Sequence, residues 1–191
     1  MGTSKGLLFN KKYLPTDQTK LTNYLLAAMG SPDTRQINGM GGATSVTNKV
    51  CIISKSEVAN VDIDYFFAQV LVDEAKVDYG PTCGNMLSAV GPFAIEQGLI
   101  EANEASTKIV IRSVNTGSII DATIPTPSKS VTYSGDYKIA GVPRAGSPIL
   151  LKFKNIVGGA TGKLLPAGDR TTIIKGIEVT CLDVSMPIVM A

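Results

Sequence analysis

The sequence contains no histidine, which removes Ser-His-Asp and Cys-His nucleophile pairs and every imidazole metal ligand. Any proton chemistry falls to other side chains. Cysteine is scarce: Cys51, Cys83 and Cys181 stand far apart with no Cys-x-x-Cys spacing, so no disulfide framework and no metal site is indicated, and reduced thiols are the simplest reading. No apolar run approaches the ~18 residues needed to span a bilayer. The polar opening from Met1 to Gly6 lacks the charged-then-apolar layout of a secretory signal. No membrane partner is therefore expected, and the cytoplasm is the default compartment. The 18 basic and 16 acidic residues are interspersed and leave a net charge of +2, so no stripe for nucleic acid stands out.

What is present is the profile of a turn-rich globular protein: 44% hydrophobic and 18% charged residues, with 19 glycines and 10 prolines in a length of 191 that fits one domain. Leu21, Leu25, Leu26 and Met29 recur at helical spacing, and Gly30-Ser31-Pro32-Asp33 ends that helix as a turn. The stretch from Ile37 to Thr47 is too rich in glycine to be a regular element. Strands are expected at Lys49 to Ser54, Asp64 to Val72, Lys108 to Arg112, Ser118 to Ile124, Ser130 to Tyr133, Ile149 to Phe153 and Glu178 to Leu182. Between them, Asn85 to Gly98 is apolar around nearly its whole circumference, so other structure must wrap it. One buried helix among many strands predicts an α+β domain in which a curled mixed sheet surrounds the helix.

Five short segments could carry chemistry. In Pro81-Thr82-Cys83-Gly84-Asn85 a cysteine lies just ahead of the apolar helix, where helix N–H groups stabilise a thiolate or a bound carboxylate; the alternative is a small buried cysteine. The run from Gly39 to Lys49 offers bare backbone N–H groups and hydroxyls at Gly42, Thr44 and Ser45, then a lysine at a strand start. It does not end in Gly-Lys-Ser or Gly-Lys-Thr, so it is no Walker phosphate loop. Lysines ordinarily titrate near ~10.4, so a basic role for Lys49 needs burial or a neighbouring cation; the alternative is a solvated surface lysine. Gly2-Thr3-Ser4-Lys5-Gly6 and Asn115-Thr116-Gly117 are small polar turns that either serve a site or merely turn the chain, and Gly158 to Gly162 is equally open.

Taken in order, these segments resemble the family that holds the PrpF-type 2-methylaconitate isomerases, 4-oxalomesaconate tautomerases and methylitaconate isomerases. The resemblance covers essentially the whole chain and is carried by Gly2 to Gly6, Met29 to Asp33, Gly39 to Lys49, Asp64-Tyr65, Cys83-Gly84-Asn85 and Val90 to Ile95. It implies a diaminopimelate-epimerase-like fold, with two similar domains that each wrap strands around a central helix and a cleft between them. Residues 1–191 are then a single domain, the first half of such a protein, with the second domain absent. The family's usual Arg-Gly-Gly-Thr-Ser opening is also cut short here, because Met1 directly precedes Gly2.

By the same resemblance the catalytic lysine falls on Lys49 and the catalytic cysteine on Cys83. Thr3, Ser4, Gly42, Thr44, Ser45, Gly84, Asn85 and Asn115 are the candidate substrate-binding positions. The implied chemistry is a cofactor-independent 1,3-allylic proton shift on a small unsaturated di- or tricarboxylate. Asp73 to Gly80 and Val184 to Met190 look more like the oxalomesaconate group. Two other readings stay open: a racemase or epimerase with facing thiols, and a non-catalytic half that binds small acids or pairs with another chain. A domain shaped to line a cleft also carries an exposed face through which a homo-oligomer is expected.

Overall fold

The computed structural model describes residues 3–154, 156–158, 160–184 and 186–191. Their contacts divide into two compact units, one ending at Lys152 and the other Phe153–Ala191. The first is built on a mixed sheet in the order β1-β2-β3-β5-β6-β7, with β4 added to β3. Its strands are β1 (Gly6–Asn10), β2 (Lys49–Lys55), β3 (Ile63–Val70), β4 (Val77–Asp78), β5 (Ala105–Ser113), β6 (Ile119–Thr126) and β7 (Leu150–Phe153). The pairs β1–β2 and β3–β5 are parallel, while β2–β3 and β5–β6 are antiparallel.

Helix α1 (Gln18–Met29) starts where the Asp17 side chain accepts from the Lys20 N–H at 2.9 Å, and it ends at Gly30. Its apolar stripe of Leu21, Leu25 and Met29 packs with Val50, Ile52, Ala68 and Val70 from one face of the sheet. Helix α2 (Gly84–Glu96) lies on the other face. There a Cβ on Gly91 would meet the Ile124 side chain, so the glycine lets the helix lie close against β6. Beyond α2, Gly98 takes φ +66° while Gly98 N–H bonds Ile95 and Leu99 N–H bonds Ala94, a Schellman ending.

The expected α+β class and the wrapped apolar helix are therefore what the chain builds, with Met86, Leu87, Val90, Gly91, Pro92 and Ala94 buried. One expected strand is absent. After β6 the chain makes a 3₁₀ turn (Pro127–Lys129) with Ser128 and Lys129 at positive φ, and Ser130 to Tyr133 then runs on irregularly. The Tyr133 carbonyl accepts from Ser147 N–H at 3.0 Å, but among the described residues the segment joins no ladder. Tyr133 instead donates to Glu96 at 2.8 Å, and burial together with that carboxylate pushes its hydroxyl up to about 12.

The second unit is a small antiparallel sheet of β8 (Thr172–Ile174), β9 (Ile177–Val184) and β10 (Met186–Met190) in the order β10-β9-β8. Among the described residues no helix is long and apolar enough to cross a membrane.

Candidate active site

Side chains leave a strand on alternate faces, and this divides β2 and β3 between two tasks. Lys49, Cys51 and Ile53 pair directly with Gln69, Phe67 and Tyr65. Those six share the face toward α2, while Val50, Ile52, Ala68 and Val70 form the core beneath α1. Tyr65, fully buried, donates to the carbonyl of Cys83 at 3.1 Å and so ties the sheet to the start of α2. Burial pushes the Tyr65 hydroxyl well above its ordinary range, and the neighbouring thiols of Cys51 and Cys83 push the same way. Burial likewise raises the Cys51 thiol, which shares a hydrogen bond with Tyr65. Both groups stay neutral and act as struts.

Cys83 is half-buried in the N-cap position of α2. Its side chain makes no capping hydrogen bond; the Sγ atom lies 3.6 Å from Ser4 Oγ. Next along the helix, the Asn85 amide donates to Thr3 Oγ1. Thr3, Ser4, Cys83, Gly84 and Asn85 thus meet at the first turn of α2, where the positive end of the helix dipole favours negative charge.

Lys49 is half-buried at the start of β2. Its Nζ donates to Gln69 Oε1 at 3.0 Å and sits 5.3 Å from the centroid of the Phe67 ring. Both partners suit a cation. The two clusters are joined through the backbone. Lys5 N–H bonds the carbonyl of Val46 at 2.9 Å, and Gly6 pairs with Lys49 so closely that a Cβ there would strike the Lys49 carbonyl.

The glycine-rich segment before Lys49 is held by two glutamines. Gln36, almost fully buried, donates to Ser31 Oγ at 2.9 Å and to Asn48 Oδ1 at 2.7 Å, while its Oε1 accepts from Ala43 N–H at 2.8 Å. Gln69 donates to the carbonyls of Ser45 and Asn48 at 3.1 and 3.0 Å. Thr44, exposed, shares a hydrogen bond with Thr47 at 2.8 Å, and Gly42 packs on the Thr47 side chain. Neither glutamine stood out in the sequence, since a lone Gln in a loop and another in a strand carry no periodic or spacing signal.

Asn115 has a different kind of place. Its Oδ1 accepts from Phe67 N–H at 2.8 Å, and its Nδ2 donates to the carbonyls of Phe67 and Tyr79 at 2.9 and 2.7 Å. The side chain continues the ladder of β3 past the end of β5 and braces the strand under the Phe67 ring. Among the described residues no cluster of three or more His, Cys, Asp or Glu is arranged to hold a metal ion.

A family model described as PrpF protein matches residues 1–191. The 4-oxalomesaconate tautomerase of Pseudomonas putida is 49% identical over 189 residues, covering 99% of this chain and 52% of that protein. The (4E)-oxalomesaconate Delta-isomerase of a Novosphingobium species is 48% identical over 189 residues, covering 99% of this chain and 53% of that one. Among solved structures, that of methylitaconate-delta-isomerase superimposes with a TM-score of 0.89 at 41% identity, over 98% of this chain and 50% of the other. The chain spans about half the length of these relatives.

Proposed function

The chain belongs to the PrpF family, and from that premise we propose that it is the first-domain half of a cofactor-independent isomerase moving a proton across an allylic system of an unsaturated polycarboxylate. The reading is carried by one observation: Lys49 stands on the face of the β2–β3 pair that Tyr65 ties, through its hydrogen bond to the Cys83 carbonyl, to the start of α2. A 1,3-shift needs one group to take a proton, one to return it two carbons away, and donors for the dienolate between.

In the proposed reaction Cys83 takes the proton from the allylic carbon. The C–H electron pair moves through the double bond to give a dienolate, and the negative charge settles on a carboxylate or carbonyl oxygen facing the N–H groups of Gly84 and Asn85. Lys49, whose partners suit an ammonium, delivers a proton to the far carbon, and exchange with solvent resets both groups. Ser4, Thr3 and the backbone of 42–45 orient the remaining carboxylates. The higher identity to oxalomesaconate enzymes than to the methylitaconate structure supports a keto-tricarboxylate substrate.

The test is proton NMR in deuterated water with unsaturated di- and tricarboxylates, beside the full-length Pseudomonas putida tautomerase as control. Deuterium enters the far carbon, where Lys49 delivers its proton, as the double bond shifts, and Lys49→Ala slows this by about 10²-fold or more, the usual range for a general acid. Full exchange in Lys49→Ala overturns the assignment. No exchange by the chain alone, with exchange by the control, makes it an incomplete catalyst that requires the domain its relatives carry.

A further inference from the structure

The Gly-rich loop and Lys49 are bound to one and the same side chain. Gln69 stands directly opposite Lys49 across the β2–β3 pair. Its Oε1 accepts from Lys49 Nζ at 3.0 Å, and its Nε2 faces three backbone carbonyls: Asn48 at 3.0 Å, Ser45 at 3.1 Å and Val70 at 3.3 Å. Carbonyl oxygens accept and never donate, and an ammonium donates and never accepts. The amide therefore has one permissible orientation. Flipped, it would set its oxygen against three carbonyl oxygens and its N–H groups against the lysine.

This arrangement places a dipole of fixed sign between a loop and a charge. The other end of the loop is gripped by Gln36 at Ala43, so residues 43–48 are held at both ends and only Gln69 also touches Lys49. We infer that Gln69 is a positioning residue that couples the loop around Ser45 to Lys49, so that a carboxylate seated on the loop sets where the lysine presents its proton. The inference rests on the function proposed above for Lys49, but the contacts it invokes exist whether or not that function holds.

Because the coupling has a sign, two substitutions separate it from simple support. Gln69→Glu keeps an acceptor for Lys49 and adds a full negative charge, while it loses both donors to the loop. Gln69→Met keeps the length and loses acceptor and donors alike. The readout is competitive labelling of lysines with trace acetic anhydride across pH, followed by mass spectrometry, together with amide hydrogen exchange of the peptide spanning 43–48. Neither requires turnover.

In Gln69→Glu the labelling midpoint of Lys49 moves up by about one pH unit, the effect of an opposite charge within ~4–6 Å at a half-exposed site. In Gln69→Met it moves down, because the ammonium loses its acceptor. Exchange at 43–48 quickens in both. Lys55, exposed at the far end of β2, is the internal reference, and its unchanged midpoint shows that the strand has held. If the Lys49 midpoint shifts the same way in both variants, or in neither, while Lys55 is constant, Gln69 is only a structural residue and the inference is overturned. Should Lys49→Ala retain deuterium exchange while the labelling shifts appear as stated, the function assigned to Lys49 fails and the coupling stands. The reverse pattern fails the coupling alone.

Discussion

The two faces of the β2–β3 pair differ in kind although they are made from the same fifteen strand residues read alternately. Toward α1 lie Val50, Ile52, Ala68 and Val70, closed over by Leu25 and Met29, with no polar atom in the cluster's side chains. Toward α2 lie Lys49, Cys51, Tyr65, Phe67 and Gln69, most of which make a polar contact to something distant in sequence. The first face gains from burial alone and is indifferent to precise direction. The second depends on donors meeting acceptors, and its partners come from loops 20 or more residues away, such as Ser45, Asn48 and Asn115. A pleated strand thus lets one face be spent on stability while the other is spent on positioning.

That division can be broken by substitutions that ought to affect one face only. Leu25→Ala, at a fully buried position, should cost about 2–5 kcal/mol in urea denaturation by leaving a cavity, while the Lys49 labelling midpoint stays where it was. A shift of that midpoint would show that the faces are coupled through the sheet. Tyr65→Phe should cost less, about 1 kcal/mol for the hydrogen bond to the Cys83 carbonyl. It should also raise the rate at which Cys83 is alkylated by iodoacetamide, because the N-cap loses its tie to the sheet. An unchanged alkylation rate would mean that Tyr65 fills space and does not hold the thiol.

The face toward α1 was the legible one. Leu21, Leu25 and Met29 at helical spacing and the Val50-Ile52 alternation stated their burial through periodicity, which is what hydrophobic patterning records. The α2 helix was legible for the same reason. Of the candidate site, Cys83 and Lys49 were singled out from local context sharpened by a family resemblance, and the structure adds the contacts by which each is held. Gln36 and Gln69 were not singled out, since their contacts close over separations of 5 to 24 residues that no local pattern encodes, and Tyr65 entered only as part of the Asp64-Tyr65 segment. Turn-like segments were the least legible of all. Gly158 to Gly162 could be read either as part of a site or as a plain turn; Gly159 lies outside the described residues, but the Ala160 and Thr161 N–H groups and the Thr161 hydroxyl all donate to the buried carboxylate of Asp183, within 2.9 Å. Those backbone bonds hold that carboxyl below the usual range. The anion such a loop favours can belong to its own chain.

The smallest expected effect lies where the apolar face ends. Asp64 and Arg112 pair across β3 and β5 through two hydrogen bonds, Nε to Oδ1 at 2.9 Å and Nη2 to Oδ2 at 2.7 Å. They stand beside a cavity of about 500 Å³ lined by Leu14, Leu21, Ile52 and Phe66. Burial alone would raise the Asp64 carboxyl, but the Arg112 guanidinium, the Ser56 hydroxyl and the Lys11 charge together hold the group below its ordinary value. A carboxyl with a lower pKa in the folded than in the unfolded state contributes stability that is fully present above the unfolded value, near ~3.9, and is lost as pH falls through the folded one. At pH 7, Arg112→Met should therefore lower the urea midpoint slightly, by less than either change above, because a partly solvated pair is well screened. Below about pH 4 the gap between wild type and variant should close, since protonated Asp64 no longer distinguishes them. A gap that persists at low pH would mean that Arg112 stabilises through its packing along the sheet, and that this edge belongs with the apolar face after all.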